Sequence, residues 1–475
     1  MAMKSNILAK LPFLAFILSL CAGAFVYGVV AAKWNWFPVP AMARAKTGLE
    51  AYLNLDDEQA PFGLVRYVDV DHPVIENHSD TQQHELILVA GGFFAHPNIC
   101  PEFGCIAMVM DHQGQVYHSW SIDPNGLVSE KDFANHSGMT RAENLNVQGV
   151  APTRDGGLIV TLQGRNMFPY YVGVVKLDKE SNVEWEHIDF SHHWPLVAEN
   201  GDVVLPVAQI VQPAPAAFEE TVVPIECIGA VPALYHEGLR IRASDGTLLR
   251  ETWFEDLLIA NDLKGLMYAV RNGCDPYHVN GMAELNAAAA AGISGAEAGD
   301  LVLSLRSPSA LIVLDRTEDV VHDVITGPMV AQHAPVVFAD GRIGMFDNLG
   351  GVSEQGGSRV LAYDPAARSF ETLFPRQGDT SAHLESVAQG TLQLSEDGTR
   401  ALVGETLGGR LLEVDLQTGD VLWEYENATA LTLHKKFAHV RTEHVAGVMN
   451  FHGAHFLPRE ALKVYGAEVM GSIHN

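Results

Sequence analysis

The feature that most constrains this chain is a strand–turn unit that recurs from residue 85 to residue 423. Each copy opens on an apolar strand, turns at Asp-Gly or Asn-Gly, and runs further strands toward a second turn at an Asp. A last strand ends on Trp or another bulky residue. The first copy runs from Glu85 through Asp111 and Gly114 to Trp120, and the second carries Asp155-Gly156, Val172–Asp178 and Trp185. The third carries Asn200-Gly201, Leu239–Ala243, Asp245-Gly246 and Trp253. The fourth has Gly299-Asp300, Leu301–Arg306, Ala310–Asp315 and His322 in the Trp place. Asp340-Gly341, Arg359–Asp364 and Phe374 mark the fifth, and Asp397-Gly398, Leu411–Asp415 and Trp423 the sixth. Short strands at even spacing with Gly and Asp at the turns belong to sandwiches, barrels or propellers. Four strands per unit in about six units predict an all-β, six-bladed β-propeller rather than a sandwich array. Its span is 84–475, with Asn450–His455 as a final strand region that completes the last unit or closes the ring. Pro206–Pro232 reads as a loop out of the third unit, and Ala287–Ala298 as an insert holding one short helix.

Ahead of the repeats, residues 1–40 read as a membrane anchor or signal segment and 41–83 as a lead-in stalk. Lys4 and Lys10 precede an uncharged run, Leu11–Ala32, that ends near Trp34, Trp36 and Phe37. That length and aromatic belt predict a transmembrane helix, with Ala22-Gly23-Ala24 as a rival cleavage site. On either reading the body is expected on the periplasmic side of the cell membrane. Cys100 and Cys105 bracket a loop that a disulfide could close, and Cys227 and Cys274 form a second candidate pair.

With 58 acidic against 30 basic residues, the net charge is −28. Such a surface repels phosphate backbones, which excludes nucleic acid as the expected partner. A small anion would need a locally positive pocket. One stretch offers it: Asp275-Pro-Tyr-His278-Val-Asn280, Ser304-Leu-Arg306, Gln332-His333 and Phe346-Asp-Asn348. Ser191-His192-His193-Trp194 stands at the equivalent place before the third unit. His193, His278 and His333 each precede an apolar strand and its Gly/Asp turn, so their shared phase points to one convergent site.

A neutral imidazole can carry a transferred group covalently and serve as acid or base near neutral pH. Arg306 offers a planar fork of donors to an anion. Asn280, Asn348 and His192 are candidate substrate contacts. An ion pair between Arg306 and Asp347 is the structural alternative for that arginine. No cofactor or metal is expected on the main reading, although three histidines around one point also suit a metal-dependent enzyme. A non-catalytic, membrane-tethered binding propeller is the third option.

In this order the motifs resemble the bacterial PAPS-independent arylsulfotransferase family, over roughly His192 to Trp423. The resemblance implies a six-bladed propeller in which a histidine takes a sulfuryl group from an aryl sulfate and passes it to a phenol. Carried over by motif, His333 is the nucleophile, with His278 and Arg306 on the sulfuryl oxygens. The double motif leaves His192 or His193 open, with His193 favoured. Two departures stand out. A short lead-in replaces the family's N-terminal β-sandwich, and Trp194 follows His193 where an acidic residue is expected.

Overall fold

The computed structural model describes residues 11–34, 63–79, 85–123, 145–164, 171–211, 226–268, 275–430 and 445–473, apart from isolated positions within those ranges. Among the described residues, six antiparallel sheets of four or five strands carry the body, and each has a core of strands ordered along the chain. The first is built on Leu86–Phe94, Cys105–Met110 and Gln115–Trp120, and the second on Leu145–Pro152, Leu158–Gly164, Tyr171–Leu177 and Val183–His187. Leu196–Val197, Val203–Val211, Leu234–Arg242 and Leu248–Trp253 form the third. The fourth starts at Val279–Glu284, the fifth at His333–Val337 and the sixth at Thr391–Leu394.

Central strands are largely apolar where neighbouring sheets cover both faces, as in the fourth sheet. Leu301–Leu305 and Ala310–Leu314 are buried throughout, and the outer strand Val321–Thr326 is mostly half-buried. Six apolar clusters fill the seams between successive sheets. One of them joins the first sheet to the last, through Ile87, Met108, Leu402, Trp423 and Phe451. The two chain ends meet at that seam. Phe451–Leu457 becomes the inner strand of the first sheet, with Leu86 opposite Leu457 and Gly91 opposite Phe451. The region around Asn450–His455 therefore closes the array rather than extending the sixth sheet.

Several expectations change. Leu11–Trp34 is an α-helix. Among the described residues, however, no helix is long and apolar enough to cross a membrane. The expected transmembrane span, and membrane attachment through it, is therefore not supported. The stretch read as a stalk contributes strands: Leu64–Asp69 pairs with Val445–Met449, and Ile75–Asn77 adds to the outer edge of the sixth sheet. Pro206 is not in a loop either. It lies within Val203–Val211, opposite Leu239, and its carbonyl accepts from the His192 N–H at 3.0 Å. The short helix in the Ala/Gly insert is Ala287–Ala291, capped by the Asn286 side chain. Cys100 and Cys105 are disulfide-bonded; Cys274 and the Cys227 side chain lie outside the described residues, as do His434, His439, His444 and His474.

Candidate functional site

The site is built where three sheets begin. His333 is the first residue of the inner strand His333–Val337, and His278 immediately precedes the inner strand Val279–Glu284. His193 stands three residues before Leu196–Val197. His193 and His278 share a left-handed backbone, with φ of 51° and 50°. Non-glycine residues seldom adopt it and hold it at some cost. It turns both side chains out of their strands toward one point. Around His333 the same turn is made by Ala331 and Ala334, with φ of 58° and 48°. Sheet two supplies the close fit for His193: its carbonyl accepts from Thr161 Oγ1 at 2.5 Å, and a Cβ on Gly149 would lie 2.4 Å from it.

The three rings converge. One ring nitrogen from each of His193, His278 and His333 lies within 4.8 Å of the others. The His193 and His278 ring centroids are 4.9 Å apart, and that of His333 is 6.5 Å from both. Trp194 sets its ring at right angles to His333, 6.0 Å away, and its Nε1–H donates to the His452 carbonyl at 2.7 Å.

Each ring has a different partner on Nδ1. For His333, that nitrogen donates to Asn348 Oδ1 at 2.6 Å and faces the Ala331 carbonyl at 3.1 Å. Asn348 is held in that sense because its Nδ2 donates to the carbonyls of Ser386, at 2.7 Å, and Gln389. His333 Nε2 is thereby left with its lone pair. His278 Nδ1 pairs with the Asp275 carboxylate. His193 Nδ1 lies 2.6 Å from His192 Nδ1. Burial first, then the charges of His278 and Arg306, hold the His333 ring well below its usual value. His193 is depressed in the same direction, by burial first and then by His192, His278, His333 and Arg306. Both rings are neutral at neutral pH.

Arg306 follows the strand Leu301–Leu305, and its backbone N–H donates to the His278 carbonyl at 3.1 Å. The arginine on Asp347 is Arg359, whose Nε donates at 2.8 Å, so the expected alternative pairing with Arg306 is not the one formed. The three expected substrate contacts sit behind the rings. Asn280 is fully buried, and its Nδ2 donates to the Gln332 carbonyl at 2.8 Å. Asn348 backs His333, and His192, also fully buried, backs His193. Gln332 is clamped further by Ser304 and the Ala310 carbonyl.

Sequence reasoning quoted Asp275 in its motif without giving it a role; a carboxylate three residues before His278 was the available signal. It missed Glu237, whose only mark is that it is the one acid in the strand Leu234–Arg242. Glu237 is fully buried, and its Oε2 accepts from the Val279 N–H at 3.2 Å. Burial, and then the Asp275 charge, push its carboxyl well above the usual range.

The segment that holds His278, Asn280, Arg306, His333 and Asn348 matches a protein-family model, the arylsulfotransferase (ASST). The match spans residues 251–428. His192 and His193 precede the matched segment and join its site only through the fold. No curated protein matches the chain. In shape the chain is similar to a Bacteroides caccae protein of unknown function, at 8% identity and TM-score 0.45, over 79% of this chain and 99% of that one. The Dos1 propeller is similar at 10% identity and TM-score 0.36, over 76% of each chain. Virginiamycin B lyase from Staphylococcus aureus gives 8% identity and TM-score 0.34, over 58% of this chain and 69% of the enzyme.

Proposed function

We propose that the protein is a sulfotransferase that moves a sulfuryl group from an aryl sulfate to a phenolic acceptor through His333. The carrying observation is the state of that ring: Nδ1 is occupied by Asn348, and Nε2 is unprotonated among two further imidazoles and an arginine. We read the six sheets as the blades of a six-bladed propeller, with the rings at the inner strands. The Cys100–Cys105 disulfide supports an oxidising, extracytoplasmic setting.

In the first half-reaction His333 Nε2 attacks sulfur. The N–S bond forms, the S–O bond to the aryl group breaks, and the leaving oxygen takes a proton from His278. Asp275 stabilises the protonated His278 ring that makes this donation. Arg306 stabilises the charge on the sulfuryl oxygens. In the second half-reaction a phenol oxygen attacks sulfur, the N–S bond breaks, and the phenol's proton returns to His278. Ping-pong kinetics follow from the covalent intermediate. With a chromogenic aryl sulfate and a phenol, His333→Ala should lose roughly 10³-fold or more in kcat/KM. Full transfer by that variant would overturn the assignment.

The convergence of three ring nitrogens within 4.8 Å also favours a second reading, a metal-dependent enzyme with His193, His278 and His333 as ligands. The Arg306 charge, which acts on both His193 and His333, opposes a cation there. Stoichiometric zinc, iron or copper after mild purification would turn the choice toward the metal.

A further inference from the structure

His192 is not one of the three converging rings but supports one of them. It is fully buried and in direct contact with His193. Its Nδ1 lies 2.6 Å from His193 Nδ1. Its Nε2 lies 3.7 Å from Glu237 Oε1, and its backbone N–H is fixed by the Pro206 carbonyl at 3.0 Å. Glu237 in turn is fixed by the Val279 N–H.

We propose that His192 is a positioning residue: its Nδ1–Nδ1 hydrogen bond, with Glu237 behind it, fixes the ring of His193 so that Nε2 faces the reacting group. The inference rests on the sulfotransferase reading for its kinetic consequence and on geometry alone for the placement of the ring.

Two nitrogens 2.6 Å apart can bond only by sharing one proton, with one ring as donor and the other as acceptor. Two protonated rings are excluded at that distance by their mutual repulsion. The bond therefore uses up Nδ1 of His193 and leaves Nε2 as its one nitrogen for the site. It also supplies the torsional restraint that His193 needs, because the residue sits in a left-handed backbone and carries its ring between two sheets. Asn348 does the same for His333 and Asp275 for His278. Every ring in the cluster is thus held at Nδ1 by a neighbour from outside the cluster. His192 is the neighbour that the double His-His motif encodes. Glu237 links two of these supports, since it faces His192 and its Oε2 takes the N–H next to His278.

The test compares His192→Leu, which fills the space without a hydrogen bond, with His192→Asn, whose amide can occupy the Nδ1 position. Each is assayed for kcat and KM with an aryl sulfate and a phenol, and each is crystallised. His192→Leu should lose kcat by roughly tenfold or more with KM little changed, because a misplaced group costs rate rather than binding. His192→Asn should recover most of that loss. Wild-type kcat in His192→Leu, or equal losses in both variants, would overturn the proposal. Should the wild-type protein show no transfer at all, the sulfotransferase reading falls, and the crystals decide the positioning role by themselves. A His193 ring displaced in His192→Leu and restored in His192→Asn supports it; an unmoved ring in both overturns it.

Discussion

Asn348 Oδ1 lies 2.6 Å from His333 Nδ1, and the amide is locked in that sense by two carbonyls, those of Ser386 and Gln389. The consequence is a ring whose tautomer is decided by a residue fifteen positions away, just past the end of the neighbouring strand Ile343–Asp347. Replacing Asn348 with Leu removes the acceptor and lets the proton occupy either nitrogen. Sulfuryl uptake in a single turnover should slow by roughly 10²-fold, in the range for loss of a positioned proton-transfer or orienting group. Uptake at the wild-type rate would show that Asn348 does not set the tautomer.

Much of this arrangement was legible because its parts recur. The Asp-Gly and Asn-Gly turns mark hairpins within the sheets, since a positive φ is needed there: Gly201, Gly246 and Gly341 have φ of 89°, 85° and 93°. Histidines in one phase of the repeat could be expected to converge. The supports were not legible. Glu237 lies in the third sheet and Asp275 just before the fourth, and only the packing of those two sheets puts them together. Closure itself is a long-range pairing of Phe451–Leu457 with Leu86–Gly91, for which a local pattern holds no signal. Three polar residues expected at the substrate proved to be buried behind the rings, because period-two reasoning gives a face but not a depth.

The Asp275–His278 pair gives a second prediction. Asp275→Asn keeps the shape and removes the charge that supports a protonated His278. The kcat should fall by roughly 10²- to 10⁴-fold, the range for general acid–base groups, with the largest loss for donors whose leaving phenol is a poor one. A loss independent of leaving-group basicity would place His278 outside proton transfer.

The buried Glu237 carboxyl makes stability depend on pH. Its value in the fold lies above the ordinary 4.5, so the folded protein keeps a proton that the unfolded chain releases. The stabilisation tied to the neutral acid is complete below about pH 4.5 and is lost as pH rises toward the folded value. Glu237→Gln, neutral at every pH, should therefore match wild type in Tm near pH 4.5 and exceed it increasingly at higher pH. A Tm difference that stays constant between about pH 5 and about pH 8 would contradict a neutral Glu237.

Ring closure can be tested at Phe451, which is fully buried in the seam between the first and last sheets. Phe451→Ala should cost about 3–5 kcal/mol in urea unfolding, as for large aromatic truncations in a packed core. A loss below about 1 kcal/mol would mean that the seam is not part of the cooperative core.

The central claim is that His333 carries the sulfuryl group. Purified protein incubated with an aryl sulfate and no acceptor should gain the mass of one sulfuryl group, with peptide mapping placing it on His333. A phenol should then discharge it. An adduct on another residue, or a His333→Ala protein that acquires the same adduct, would contradict the account.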